Sequence, residues 1–436
     1  MTFRKIILIL GVLCALVTPV HAQLNQVFDR LFDEILRDGF ALSPGPHGQH
    51  FLPAAEEAVH ALTPALNSLI AGNVASFPLS SNVAVVEVDF IDGQPVGTRG
   101  SLGPIFAESA ETLGPGKLVV GFSATHLTLD QLRGVPLKDM RFTFLHQDLA
   151  EPGLGDNPNE SDIVNIFPDL DVDANIFALY ATYGVASNFD VTLAVPFVNI
   201  TLDGHARATV ESFTFGALGQ ANHHFGDDPT HPELVKELAY GENASGVGNL
   251  AVQMKYRVPF GSSFGLGVLA DARVPTGNEN DFLGTGHFSL RGLLISSWQF
   301  GDFTPHLNVG YDYRDAPFDS DELEISLGFD QKLADGLTFA AEILGEFDLD
   351  ETEAIDLLPG TITLVDQVPN TTARTTRVIH RSNIPDRNRD HTLNAALGLW
   401  IAPTQNFQVL ANLIVPLQDD GLRSSVVPTV GLSLSF

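Results

Sequence analysis

The stretch DELEISLGFDQKLADGLTFAAEILGEFD (321–348) decides the fold. Leu323, Ile325, Leu327 and Phe329 alternate with Glu324, Ser326, Gly328 and Asp330. After a short turn at 334–336 the period returns. Leu337, Phe339, Ala341, Ile343 and Phe347 then alternate with Thr338, Glu342, Glu346 and Asp348. A period of two marks a strand with one apolar and one polar face.

The same pattern extends in both directions. Leu250, Val252, Met254, Tyr256 and Val258 alternate with Asn249, Ala251, Gln253, Lys255 and Arg257. Residues 264–274 and 426–436 repeat it. Twelve strands are predicted: 117–129, 163–184, 188–203, 246–258, 263–274, 287–300, 302–314, 321–333, 336–348, 391–402, 406–417 and 425–436. A hairpin near 83–101, turning at Asp92-Gly93, would raise the count to fourteen if it joined the wall. Pro196, Pro275, Pro305, Pro416 and Pro428 cannot donate to a ladder, so strand ends or bulges are expected there.

One-sided strands also build soluble sandwiches. Three features favour a membrane barrel. Connections alternate between short turns (near 185–188, 260–263, 300–302, 334–336 and 403–406) and long loops (near 204–245, 275–286, 314–321 and 349–390). Phe189, Phe264, Phe303 and Phe407 open strands after short turns, and Phe260 and Phe300 close strands before them, as in an interfacial girdle. The last strand carries an outward Phe436, a signal of the kind read by barrel-assembly machinery. Charged residues are only 17% of the chain, yet after the N-terminal run no stretch of 18 apolar residues occurs. Membrane contact must then be spread over short strands. The fold class is an all-β membrane protein, an antiparallel up-and-down transmembrane barrel with a short N-terminal helical segment.

Upstream of the barrel the periods differ. Arg4 and Lys5, an apolar run from Ile6 to Val17 and a small-residue end at Ala22 predict a signal peptide over 1–22. Cys14, the single cysteine, falls inside it, so no disulfide is expected in the mature chain. Residues 24–36 and 53–71 have helical apolar spacing, with Pro64 interrupting the second helix or starting its later half. Such a segment over 23–75 fits a periplasmic hairpin, a luminal plug or a partner-binding element. Residues 76–115 read as hairpin and connector, and 116–436 as the barrel. The net charge of −30 argues against a nucleic-acid partner.

Parity sends the polar face into the lumen. Lys255, Arg257, Arg273 and Arg291 lie on three consecutive strands, joined by Asp271. Glu324, Asp330, Glu342, Glu346 and Asp348 lie on two later ones. These charges either line a solute path with a transverse field or neutralise one another in a filled interior. His287 and Ser289 share the luminal parity of Arg291, away from lipid, and no partner carboxylate is apparent nearby, so a lipid hydrolase is not expected. His223, His224 and His231 lie near Asp227, Asp228 and Glu233, but the spacing fits no closed metal site and reads as a solvated acidic loop. Gly114-Pro115-Gly116-Lys117 lacks the spacing of a phosphate loop. No enzyme activity, cofactor or metal is expected.

Five stretches carry a family resemblance: SLGPIFAESAETLGPGKL (101–118), LYATYGVASNFDVTLAVPFV (179–198), GVGNLAVQMKYRV (246–258), RVPTGNENDFLGTG (273–286) and LNAALGLWIAPTQNFQVLANLIVPLQDDGLR (393–423). They resemble the outer-membrane family labelled "meta-pathway of phenol degradation", and are distantly similar to long-chain fatty-acid channels, fourteen-stranded barrels with an N-terminal plug. The resemblance implies passage of small apolar or aromatic molecules. It supplies no fixed site motif and does not reach residues 24–71. The expectation is an outer-membrane channel for small, largely apolar or aromatic solutes, in contact with lipid and lipopolysaccharide. The alternative is a filled barrel whose loops carry the function.

Overall fold

The alternating stretches become strands that close on one another. In the computed structural model the wall consists of β1 (Leu118–Leu129), β2 (Leu170–Ala186), β3 (Phe189–Glu211), β4 (Leu250–Val258), β5 (Phe264–Val274), β6 (Ser289–Trp298), β7 (Phe303–Arg314), β8 (Glu322–Ala334), β9 (Leu337–Asp348), β10 (Thr392–Thr404), β11 (Phe407–Pro416) and β12 (Val427–Ser435). Each pairs antiparallel with its neighbours, and β12 returns to β1 through Thr429↔Thr125 to Ser435↔Val119. The result is a closed twelve-stranded barrel. The structure describes residues 22–37, 41–42, 50–77, 88–91, 94–97, 101–146, 162–213, 215–259, 263–315, 319–351, 355–367, 372–404 and 406–436. The signal segment, except Ala22, and Phe260 lie outside them.

Twelve being even, both barrel ends lie at the short-turn end. The opposite end carries all the long loops. The hairpin Val88–Ile91/Gln94–Gly97 exists but, among the described residues, pairs only with itself. The wall therefore has twelve strands, not fourteen.

Outward positions form an apolar band that includes Phe122, Met254, Val268, Leu294, Leu327, Ile343, Leu397 and Val430, all exposed. Phe300 and Phe303 bridge at the short-turn end, and Trp298 lies 5.4 Å from Phe264 between ring centroids, which places aromatics at one rim.

β3 outgrows the wall. Its far half pairs with Val235–Val247 on one side (Phe197↔Val247 to Thr209↔Val235) and with Ile163–Phe167 on the other, and Phe142–Leu145 adds to the latter. These three strands lie outside the barrel ring. The predicted strand 163–184 breaks at Asp169, whose φ is +46°. The predicted strand 246–258 breaks at Gly248-Asn249, opposite Pro196. Pro196 has no N–H to give, and its carbonyl instead accepts Gly248 N at 2.9 Å.

The N-terminal segment is helical: Leu24–Gln26, α1 (Val27–Phe32) and Asp33–Arg37, then α2 (Leu52–Glu57), Ala58–Leu62 and α3 (Thr63–Ala75). Pro64 sits in the first turn of α3, after a widened π turn, so the chain loses no bond there. The segment packs at the long-loop end. Ala22 N and Gln23 N donate to Asp281 at 3.0 and 2.7 Å, Arg30 pairs with Glu242 at 3.5 Å, and Phe32 meets Phe144 edge-on at 5.9 Å. Leu24, Phe28, Phe32, Ile35 and Leu62 share one buried cluster with Leu127, Leu129, Val172, Ile176, Val198 and Ile200 of β1–β3. The inner face is thus apolar, not polar, on the long-loop halves of these three strands, because a helical segment rather than water lies against it, while Ser123, Thr125, Thr182, Asp190 and Thr192 keep it polar towards the short-turn end. Each such buried side chain contributes about 2 kcal/mol to that docking.

Candidate functional site in the barrel lumen

Residues 101–116 cross the lumen. They lack regular structure because their backbone bonds go to the wall. Glu342 on β9 accepts from Ile105, Phe106 and Ala107 N at 2.5, 2.9 and 3.0 Å. Leu102 N donates to Thr338 Oγ1 at 2.9 Å, and Leu113 N to Asp190 Oδ2 at 2.9 Å. The buried Trp400 indole donates to Pro104 O at 3.1 Å. Ser101 Oγ donates to Asp330. A carboxylate aimed at successive backbone N–H groups forms charge-assisted bonds stronger than neutral ones.

The wall makes room for this segment. A Cβ on Gly184 would overlap the carbonyl oxygen of Gly114, and one on Gly398 would lie 2.8 Å from Ile105 Cδ1. Ala110 packs with Leu269, Leu293 and Ile295 in a small apolar cluster of its own.

All ten luminal residues named from parity point inward, Asp348 lining the cavity described below, and the structure joins most of them in pairs. Lys255 meets Glu108 at 3.3 Å and Arg257 meets Glu111 at 2.6 Å, both on the crossing segment. Arg291 bridges Asp271 at 2.9 Å and Glu324 at 3.4 Å. Asp330 and Glu342 flank the buried His306 at 3.5 and 3.6 Å. Arg273 Nη1 donates to Ala75 O at 3.3 Å, and Glu346 accepts from Thr392 Oγ1 at 2.8 Å. The basic and acidic residues therefore do not face each other across open space. They pair sideways along the wall or with the segment inside it.

Above the crossing, towards the long loops, lies a cavity of ≈ 530 Å³ between α3 and the wall. Phe77, Leu127, Leu344, Ile414 and Val427 supply apolar surface, while Arg314, Glu346 and Arg423 supply charge. Arg314 is held by Asp312, Asp319 and Glu322 at 3.0, 3.1 and 2.6 Å. Arg423 Nη1 donates to Asn394 Oδ1 at 2.9 Å. His287 also lines this cavity, while Phe288 and Leu290 face outward.

Sequence reasoning missed Glu108, Glu111, Asp190, His306 and Trp400. A usable signal existed: Gly184, Gly265, Gly267 and Gly398 all fall on inward positions, leaving space for a chain inside. The loop at 223–233 also differs from its reading as solvated. His223 and His224 are 3% and 1% exposed, while His231 pairs with Asp228 in solvent. Hydrogen bonds from Thr230 hold the exposed Asp228 carboxyl below the usual carboxylate range.

These features define an outer-membrane-type β-barrel whose lumen is crossed by its own N-terminal chain. The family described as "Putative MetA-pathway of phenol degradation" matches residues 155–415, and the chain belongs to it. No curated protein matches. Among solved structures, the chain is similar to an outer-membrane channel from Pseudomonas putida F1, at 14% identity and TM-score 0.42, covering 75% of this chain and 98% of that one. A Pseudomonas aeruginosa FadL homologue shows 12% identity and TM-score 0.32, with 77% and 95% covered. The Ralstonia pickettii toluene transporter TbuX shows 12% identity and TM-score 0.24, with 83% and 98% covered.

Proposed function

We propose that this protein is an outer-membrane channel for small, largely apolar or aromatic solutes, with residues 101–116 as a plug that must shift for passage. The cavity beside α3 carries this reading. A dry apolar cavity of about 150 Å³ already holds a benzene, so ≈ 530 Å³ accommodates a substituted ring with polar groups turned to Arg314 or Arg423. The family description, which speaks of phenol degradation, supports the same solute class. The plug is held by discrete polar contacts, by the small apolar cluster around Ala110 and by Leu102 and Ile105, which join the larger buried cluster. In this reading the exposed Phe436 is the mark for the assembly machinery, and lipid and lipopolysaccharide surround the apolar band.

A filled barrel with functional loops is the second reading, favoured by the ion pairs Lys255–Glu108 and Arg257–Glu111. Uptake of radiolabelled phenol and toluene by a Gram-negative host expressing the chain separates the two. The channel gives uptake several-fold above the empty host. Ala71→Trp, which projects an indole from α3 into the cavity, reduces it towards background. Uptake no faster than in the empty host would sink the channel reading.

A further inference from the structure

A second constellation lies outside the lumen, at the long-loop end. His50 precedes α2, His146 follows the strand Phe142–Leu145, and His223 lies in the strand His223–His224. They are 7%, 1% and 3% exposed. One ring nitrogen from each lies within 4.8 Å of the other two. His50 Nδ1 and His146 Nε2 are 2.5 Å apart, and the His146 and His223 rings are 4.5 Å apart between centroids. Asp162, 1% exposed, accepts from His223 Nδ1 at 2.7 Å and from Phe213 N at 2.6 Å. Phe51 packs edge-on against His146 and His223 at 5.7 and 5.3 Å, which keeps the site dry.

We infer that His50, His146 and His223 bind a zinc-class divalent metal ion that clamps the N-terminal helices to two long loops. Neutral imidazoles suit zinc, copper and nickel, whereas magnesium and calcium prefer oxygen. Three ligands leave one tetrahedral position for water. The carboxylate of Asp162 fixes the His223 proton on Nδ1, so Nε2 carries the lone pair, the arrangement usual behind metal-bound histidine. Ligand nitrogens around zinc stand about 3.3 Å apart, given bonds of about 2.0–2.1 Å. The rings of His50 and His146 therefore separate slightly on binding. The three residues come from three stretches distant in sequence. The ion thus cross-links the segment that covers the lumen to the loops around it. Spacing within 223–233 could not disclose this, because two of the three ligands lie elsewhere.

The test is equilibrium dialysis of the refolded mature chain against zinc in millimolar magnesium and calcium, with bound metal measured by mass spectrometry. Heat-dependent mobility on gels reports barrel folding. One zinc per chain is expected in the wild type and in His231→Gln, and it is lost in His146→Gln and His223→Gln. Cobalt substitution is expected to give the visible bands of a tetrahedral nitrogen site. If a histidine variant fails to fold, Asp162→Asn keeps all three ligands and weakens zinc roughly 10- to 100-fold. Displacement of zinc by magnesium or calcium, or equal binding by wild type and the folded variants, would overturn the assignment.

Discussion

Glu342 shows how much rests on one luminal carboxylate. Its parity places it inside, and its two oxygens gather three consecutive N–H groups of the plug. Glu342→Gln keeps the shape but removes the charge and one acceptor. The hold on residues 105–107 is expected to fall by about 2 kcal/mol, which is about 30-fold in the released population. Reaction of a cysteine placed at Ala107, 1% exposed, with a water-soluble maleimide measures this. The labelling rate should rise about 30-fold in the Glu342→Gln background, and an unchanged rate would show that the carboxylate does not anchor the segment. At this scale the sequence was readable for direction but not for partner. Alternation in 323–348 pointed Glu342 inward. Nothing in that alternation could name Ile105, more than two hundred residues upstream.

Elements were legible to the extent that their partners are local. Strands 264–274 and 337–348 pair with chain neighbours, and their alternation set both boundaries and parity. Helix spacing in 24–36 was equally plain. A helical stripe says only that something apolar covers it, and here the cover is the inner face of β1–β3. Towards the long loops those strands carry Val172, Ile176 and Ile200 on the inner face and Asp171, Asp173 and Asn175 on the outer one, so the reversed alternation marks where the helices lie. Residues 101–116 read as a connector because a segment bonded to a surrounding wall needs no period of its own. In the proposed reading, helices and plug form two obstructions in series. Deleting 23–77 is expected to leave single-channel conductance near the wild-type level, since the plug stays. Deleting 23–115 should open steps several-fold larger. Large steps from the first deletion alone would place the main obstruction in the helices.

The whole molecule is a twelve-stranded wall with its own N-terminal chain threaded through it from the long-loop end to the short-turn end. In the proposed reading the plug moves, because the segment 101–116 lies across the lumen below the cavity. Any lock on that segment should abolish passage without touching the barrel. Ala110 and Gly267 offer one: a Cβ on Gly267 would lie 3.6 Å from Ala110 Cβ, within the 3.5–4.5 Å range typical of a disulfide. The sole natural cysteine, Cys14, lies in the predicted signal peptide, so the engineered pair is unopposed in the mature chain. The most direct measurement is aromatic-solute uptake through the Ala110→Cys, Gly267→Cys double variant, oxidised and then reduced. The account expects the bond to form in the folded barrel, uptake to fall to background, and reductant to restore it. A bond that does not form would mean the segment is not where the structure places it, and uptake unaffected by a formed bond would mean solutes pass without moving the plug.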